Sequence, residues 1–188
     1  MIRTRTTGLL RGRVSGATGH AFDIASFLAD LHGVHPALEI TLTEDSSERM
    51  QAALLAGELD LALLGPTEEV PPPGLSFQTV IDVPLAVLAA AGDPLFERAD
   101  ATSVSLAELR DRALICLPRG TGVRAALERA CKRAGFPPRI AFEAAAPDVL
   151  VQLAARGWAS RCCRAGRVRR GTGRPRAALL RADPPCEP

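Results

Sequence analysis

The chain has 188 residues, of which 47% are hydrophobic, and it carries a formal net charge of +2. This length suits one domain or two small ones, and the apolar content excludes a disordered or low-complexity chain. No apolar run approaches the length of a membrane span, and the start Met1–Thr7 lacks the apolar stretch of a secretory signal. We therefore expect a cytoplasmic protein. The five cysteines form no CxxC pair, which gives little support to a disulfide framework or a zinc site.

Charge is distributed unevenly along the chain. Residues 1–157 hold 15 basic and 19 acidic side chains, a net charge of −4. Residues 158–188 hold eight arginines against Asp183 and Glu187, a net charge of +6. The same tail contains three of the five cysteines and the only tryptophan. A shift this abrupt indicates a domain boundary, an interaction tail or a sequence foreign to the fold.

The first part of the chain alternates strand and helix patterns. Three strand patterns enclose two helix patterns, in the order 10–16, 21–31, 38–43, 46–57 and 59–64. Gly33 and Pro36 are expected to end the first helix. The third strand is almost continuously apolar, as in a buried parallel strand. Two successive β-α-β units predict a parallel sheet with right-handed crossovers.

The pattern repeats after the proline-rich connector Val70–Gly74. An extended stretch is followed by alternating helix and strand patterns, in the order 75–91, 105–109, 113–117, 123–133, 139–143 and 147–157. Ser105 and Glu108 have the spacing of a capping box, and Pro147 suits a helix start. Two similar α/β lobes imply a cleft between them, where small ligands usually bind.

The order and spacing of these segments resemble the effector-binding domain of LysR-type transcriptional regulators. In the first lobe the resemblance rests on residues 10–14, 27–31, 35–36, 38–40 and on Gly57-Glu58-Leu59-Asp60-Leu61-Ala62-Leu63. It continues in the crossover that ends at residues 92–95. In the second lobe it rests on residues 105–109, on Ala134-Gly135-Phe136-Pro137-Pro138, and on 151–157. The resemblance implies an α/β, two-lobed, periplasmic-binding-protein-like (type II) fold. We place the first α/β lobe at residues 9–84 and the second at residues 85–157.

The chain departs from this family at its start. Family members begin with a winged helix-turn-helix and a long dimerisation helix, whereas the first strand begins here near residue 9. No segment offers a basic recognition helix. We therefore expect a truncated chain that does not itself bind DNA.

The chain departs from the family again after Gly157. The family continues with a buried strand of the type Leu-Gly-Val-Ala-Leu-Leu-Pro, whereas Trp158–Arg164 contains two arginines that burial would desolvate. Reading from the last base of the Gly157 codon restores the family pattern, which leads to the hypothesis of a one-base frameshift. Residues 158–188 are then an aberrant, Arg-rich tail that we expect to be disordered. The fold would be incomplete at its C-terminus, with open apolar faces and a small stability margin.

Two turns are candidates for binding the effector. Thr18, Gly19 and His20 follow the first strand, where helix amides attract anions and a histidine can add charge. A simple turn with a capping threonine is the alternative. The corresponding turn of the second lobe contains Arg119, Gly120 and Thr121, which suit a carboxylate. A solvated loop is the alternative there.

Ser46 and Ser47 are the third candidate group, because they begin the helix that follows the second strand. Helix capping alone also explains both residues. Asp60 and Pro147-Asp148 are interpreted as structural, and Cys116 as a small buried hydrophobe.

Catalysis finds little support in the sequence. GxSxG, HExxH and Walker motifs are missing, and the histidines lack metal-ligand spacing with the cysteines. We expect neither an enzyme nor a cofactor. The resemblance implies a domain that senses a small, preferably anionic effector and controls transcription as a homodimer through rearrangement of its lobes. The alternatives are a solute-binding receptor of a transporter, which would need a secretion signal, a binding-protein-like enzyme, and nonspecific phosphate binding by the tail.

Overall fold

The protein is described by a computed structural model, which covers residues 8–14, 23–96, 103–164 and 176–181. The strands are β1 Gly8–Val14, β2 Leu38–Glu44, β3 Leu61–Leu63, β4 Leu85–Ala89, β5 Ser103–Ser105, β6 Leu114–Cys116, β7 Ile140–Glu143, β8 Ser160–Arg164 and β9 Arg176–Arg181. The helices are α1 Ile24–Val34, α2 Ser47–Leu55, α3 Gly122–Arg133 and α4 Pro147–Ala155. Short 3-10 helices occur at Pro94–Phe96 and Leu106–Leu109.

The chain divides into two compact units. The first contains Met1–Ile81 and Gly120–Gly122, and the second contains Asp82–Arg119 and Val123–Pro188. The division after Ile81 lies close to the predicted border between residues 84 and 85. The second unit also takes in the tail, which the sequence had set apart from both lobes.

The first unit is built on a three-stranded sheet in the order β2-β1-β3. Strand β1 runs parallel to β2 from the pair Gly8–Leu38 to the pair Val14–Glu44, and parallel to β3 from the pair Gly12–Leu61. Helices α1 and α2 lie between the strands in sequence, so the predicted pair of β-α-β units is confirmed.

Helix α1 begins and ends later than its apolar pattern suggests. The Asp23 carboxylate accepts hydrogen bonds from the backbone N–H of Ser26 at 3.0 Å and from its hydroxyl at 2.8 Å. These bonds lower the pKa of Asp23 and fix the first turn, so the helix starts at Ile24 and not near residue 21. The predicted stop at Gly33 is wrong, because the helix runs to Val34 just before Pro36.

The apolar face of α1 is open in the described structure. None of its residues is buried; Phe27 is 42% exposed and Val34 is 72% exposed. Leu28 and His32 line an apolar groove together with residues 36–40 and Leu42 of the following turn and strand β2. The buried cluster described for this unit is small and consists of Met50, Ala53 and Leu59. The apolar pattern of α1 is therefore not matched by burial in its described residues.

The second unit has a six-stranded sheet in the order β5-β9-β4-β8-β6-β7. Its core is larger and joins this sheet to helix α3 and to both 3-10 helices. The buried cluster contains Val87, Ala89, Leu95, Phe96, Val104, Leu106, Leu109, Leu114, Cys116, Leu127, Cys131 and Phe136. The core role predicted for Cys116 is confirmed, since its exposure is 0%.

The tail contributes two interior strands to this sheet. Strand β8 lies between β4 and β6, and β9 lies between β5 and β4. The expected disorder of the tail is therefore contradicted at Ser160–Arg164 and Arg176–Arg181, which form strands. The physical reason is that sheet pairing uses main-chain groups, which every residue except proline supplies in full.

The frameshift stays a prediction. In β8, Arg161 stands in register with Leu88 and Ile115, whose exposures are 2% and 1%. The hypothesis still rests on the codon argument and on the arginine content of residues 158–188. Resequencing the gene tests the hypothesis, and an unambiguous in-frame read would contradict it.

We predict that ending the chain at Gly157 abolishes cooperative unfolding of the second unit. The truncation removes β8 and β9, so β4 loses its hydrogen-bonded partner on both edges. Urea denaturation followed by circular dichroism measures the transition. A chain ending at Arg181 keeps every described strand and should retain it.

Equal unfolding transitions for the chain ending at Gly157 and the full chain would show that the tail does not belong to the fold.

Candidate functional site

Ser46 caps helix α2. Its backbone is extended, with φ −72° and ψ 150°, and its hydroxyl oxygen accepts a hydrogen bond from the N–H of Arg49 at 3.4 Å. The N–H of Ser46 donates to Asp45 at 2.8 Å, and the same carboxylate pairs with Arg13 at 3.0 Å. Capping thus accounts for the position of Ser46, which was the alternative interpretation of this residue.

Ser47 and Gln51 place polar atoms inside the first unit. Ser47 is 0% exposed and Gln51 is 8% exposed. The Thr67 hydroxyl donates a hydrogen bond to Gln51 Oε1 at 3.2 Å. Ser47 Oγ and Gln51 Nε2 are enclosed and have no hydrogen-bond partner among the described residues. Capping does not explain Ser47, because the capping oxygen belongs to Ser46.

The turn at Gly120 contacts the start of α2. The Gly120 carbonyl accepts a hydrogen bond from the N–H of Glu48 at 3.1 Å. A Cβ at Gly120 would lie 2.8 Å from Glu48 Oε2, and the φ of +80° also favours glycine. A carboxylate of the protein therefore lies against this turn, which disfavours binding of a second anion there.

The other two residues of that predicted site have different surroundings. Arg119 is 81% exposed in its side chain and lies 3.8 Å from Glu128, a weak contact in solvent. Thr121 is half-buried. The described contacts thus link Gly120 to helix α2 and Arg119 to helix α3.

Thr18, Gly19 and His20 lie outside the residues that the structure describes. Their predicted role in effector binding stays a prediction. Strand β1, which precedes them, pairs in parallel with β2, which leads into α2. The carboxyl ends of these two strands share one edge of the sheet.

Gly122 approaches the backbone of Gly65 closely. A Cβ built on Gly122 would lie 2.5 Å from the main-chain atoms of Gly65, so a side chain cannot be accommodated. Both glycines are buried. Sequence reasoning missed this contact, because a glycine that permits close packing and a glycine in a flexible turn give the same local pattern.

Arg124 is a buried cation in the second unit. It is 4% exposed, and its guanidinium binds Glu128 at 2.7 Å and Glu143 at 2.6 Å. Burial lowers the pKa of Arg124, but the hydrogen bonds to both glutamates outweigh it and the net shift is upward. The network joins α3 to β7. Only its Arg124–Glu128 spacing of four residues was visible in the sequence.

Four further properties of the described residues are the state of the Cys131 thiol, the geometry of possible metal ligands, the length of the helices and the contacts of Asp60. Burial raises the pKa of the Cys131 thiol to about 11, so the thiol stays protonated at neutral pH. Within residues 8–14, 23–96, 103–164 and 176–181, no cluster of His, Cys, Asp or Glu has the geometry of a metal site. In the same part of the chain, the helices are too short or too polar to cross a membrane. Asp60 accepts hydrogen bonds from the backbone and side chain of Arg11, which fits its predicted structural role.

We predict that Gly122→Ala destabilises the protein by about 1–3 kcal/mol or more, because the added methyl group overlaps the backbone of Gly65. Urea unfolding measures the change. The matched control is Gly33→Ala, at which a Cβ meets nothing within 4 Å and the helix gains up to about 1 kcal/mol. Similar stability changes for the two variants would contradict the close approach.

Comparison with known proteins identifies the family. The chain matches the family model described as LysR substrate binding domain over residues 10–187. The HTH-type transcriptional regulator AlsR of Bacillus subtilis (strain 168) is 27% identical over 124 residues, which are 65% of this chain and 39% of AlsR. The chain thus spans well under half the length of that relative.

Solved structures share the fold. The regulatory domain of CcmR from Synechocystis PCC6803, in complex with 2-PG, has a TM-score of 0.72 at 22% identity, over 94% of this chain and 82% of that one. The effector binding domain of QuiR, in complex with shikimate, also has a TM-score of 0.72, at 15% identity, over 96% of this chain and 83% of that one. The match of the family model over residues 10–187 and the two-unit α/β fold show that the chain belongs to the LysR substrate binding domain family.

Proposed function

We propose that this chain is the effector-sensing domain of a cytoplasmic LysR-type transcription regulator. It binds a small molecule, acts as a homodimer, and changes transcription through ligand-dependent rearrangement of its lobes and of the dimer. The observation that carries the proposal is the family match over residues 10–187. DNA binding belongs to a part of the regulator other than this chain.

The relatives support a small-molecule ligand. Shikimate and 2-PG are bound by the two domains of the same fold. AlsR is a transcriptional regulator, which supports a regulatory role over catalysis. A solute-binding receptor of a transporter is not favoured, because the matching family model and AlsR both belong to regulators.

Within the first unit, the start of α2 is the best-supported contact with the effector. Ser47 Oγ and Gln51 Nε2 are buried polar atoms without a partner in the described part of the chain. Buried polar groups normally have a hydrogen-bond partner, so an unpaired pair on one helix face indicates a place for an incoming polar group. We keep the Thr18–His20 loop and residues 119–121 as further candidates for effector binding. In the turn at Gly120 an anion is disfavoured, because the Glu48 carboxylate lies against it.

We predict that a small effector raises the melting temperature of the chain. A ligand at one hundred times its Kd stabilises a folded protein by about 2.7 kcal/mol. Thermal unfolding with shikimate and a broad panel of small metabolites measures the shift. Ser46→Ala should lower the melting temperature without changing the ligand-induced shift, because Ser46 acts as a cap.

Failure of every metabolite in such a panel to shift the melting temperature of a folded chain would contradict the sensing role.

A further inference from the structure

Three residues join the first unit from a segment of the chain that otherwise belongs to the second. Gly120–Gly122 are part of the first unit, whereas Arg119 before them and Val123 after them are part of the second. Two of the three residues are glycines, so most of this segment is bare main chain. We refer to Gly120–Gly122 as the strap.

The strap supplies a hydrogen-bond acceptor to the first turn of α2. The Gly120 carbonyl accepts a hydrogen bond from the N–H of Glu48 at 3.1 Å. The first N–H groups of a helix have no partner inside the helix, and an oxygen atom of a bound ligand can satisfy them. Because Glu48 directly follows Ser47, the carbonyl of the strap occupies a position next to the proposed contact with the effector.

The fit of the strap depends on the absence of side chains. A Cβ at Gly122 would lie 2.5 Å from main-chain atoms of Gly65. A Cβ at Gly120 would lie 2.8 Å from Glu48 Oε2 and 3.4 Å from Glu48 Cβ, and the φ of +80° also favours glycine there. A side chain at either glycine therefore works against docking of the strap.

The contacts of the two glycines are easily exchanged. A main-chain hydrogen bond that breaks is replaced by one to water, so its net contribution to stability is small. The glycines add close packing against Glu48 and Gly65 but bury no apolar side chain of their own. A segment held in this way can leave its position without unfolding the helix that it contacts.

We propose that the strap is an autoinhibitory element of the effector-sensing domain. When the strap is docked, the Gly120 carbonyl occupies the N–H of Glu48 in place of a ligand oxygen, and the start of α2 is closed to the effector. When the strap is released, this N–H is free to bind. Docking of the strap and binding of the effector at the start of α2 thus exclude each other. The inference rests on the proposed effector-sensing function and adds a regulatory step to it.

Amide hydrogen exchange of the full chain, followed by NMR, tests docking without any ligand. In the wild type the strap should protect the amide of Glu48. Gly122→Ala inserts a methyl group into the contact and should speed exchange of this amide by about 10-fold or more, because the free energy of local opening sets the exchange rate. The amide of Met50, which donates to the Ser46 carbonyl at 3.0 Å, should exchange as in the wild type.

Titration with shikimate and with the metabolites of the thermal panel tests the mutual exclusion. The apparent Kd equals the intrinsic Kd divided by the fraction of molecules with a released strap. Gly122→Ala should therefore bind a metabolite more tightly, by the factor by which exchange of the Glu48 amide increases. A metabolite that binds only this variant supports the strap as well, because docking then masks binding in the wild type.

Two further variants separate release of the strap from a general loss of stability. Gly120→Ala disfavours docking through its φ and its contact with Glu48, so it should speed exchange of the Glu48 amide as Gly122→Ala does. The matched control is Gly33→Ala, at which a Cβ meets nothing within 4 Å. This control should leave both the exchange and the affinity at the wild-type value.

The outcomes distinguish the two proposals. If Gly122→Ala leaves exchange of the Glu48 amide unchanged, or speeds it without tightening the binding of a metabolite that the wild type binds, the strap is overturned while effector sensing stands. If Gly122→Ala does not fold, the exchange measured in Gly120→Ala decides in the same way. If no metabolite binds either the wild type or a folded strap variant, both proposals fail.

Discussion

The pairing of β4 with two strands from the C-terminal tail is the constraint on which the second unit depends. Leu85–Ala89 forms hydrogen bonds with β8 on one edge and with β9 on the other. Four of its five residues are buried, so β4 runs through the interior of the sheet. An interior strand with an unpaired edge would leave main-chain N–H and C=O groups without partners in an apolar environment. The folding of residues 82–119 is thus tied to residues more than seventy positions later in the chain.

The two units differ in how they are stabilised. The second unit encloses a broad apolar cluster in which Leu109, Leu114 and Leu127 are fully buried. The first unit has a small buried cluster, and the face of α1 is open. Its further contacts are polar, such as the hydrogen bonds between Arg11 and Asp60, and exposed ion pairs of this kind contribute little to stability. Among the described residues, the first unit therefore has fewer buried apolar contacts of its own than the second.

The start of α2 combines helix capping with the proposed contact to the effector. Ser46 and Asp45 satisfy the helix end, while the carbonyl of Gly120 accepts the next free N–H. Beside these groups, Ser47 and Gln51 carry buried polar atoms that have no partner among the described residues. The proposed contact with the effector lies there.

Much of the fold was readable from local patterns. Apolar periodicity located most strands and helices of both units, and the motif around Asp60 carried the family resemblance. The predictions failed at the ends of helix α1. Asp23 moved the start of α1 because a side-chain cap competes with an apolar pattern, and Gly33 stayed helical because one glycine lowers helix stability without ending the helix.

The candidate site was less predictable than the fold. Ser46 and Ser47 are adjacent and chemically identical, yet one caps the helix and the other is buried, and only their directions in space separate them. Gln51 gave no signal, because a glutamine within a helix pattern looks like solvent-facing sequence. Its burial, and its hydrogen bond with the Thr67 hydroxyl sixteen residues away in the chain, emerged only in the structure.

The sequence by itself determined the α/β class, the family and the break in charge after residue 157, because these depend on residue types in order along the chain. Only the tertiary structure decided that the Arg-rich tail supplies strands β8 and β9, that the described residues leave the apolar face of α1 open, and which of the two serines caps α2. Strand pairing, burial and side-chain direction decide these features, and all three depend on residues that are distant in sequence. The net charge of +2 is therefore the sum of an acidic body and a basic tail, and strands of that tail pair with strands of the second unit in one sheet.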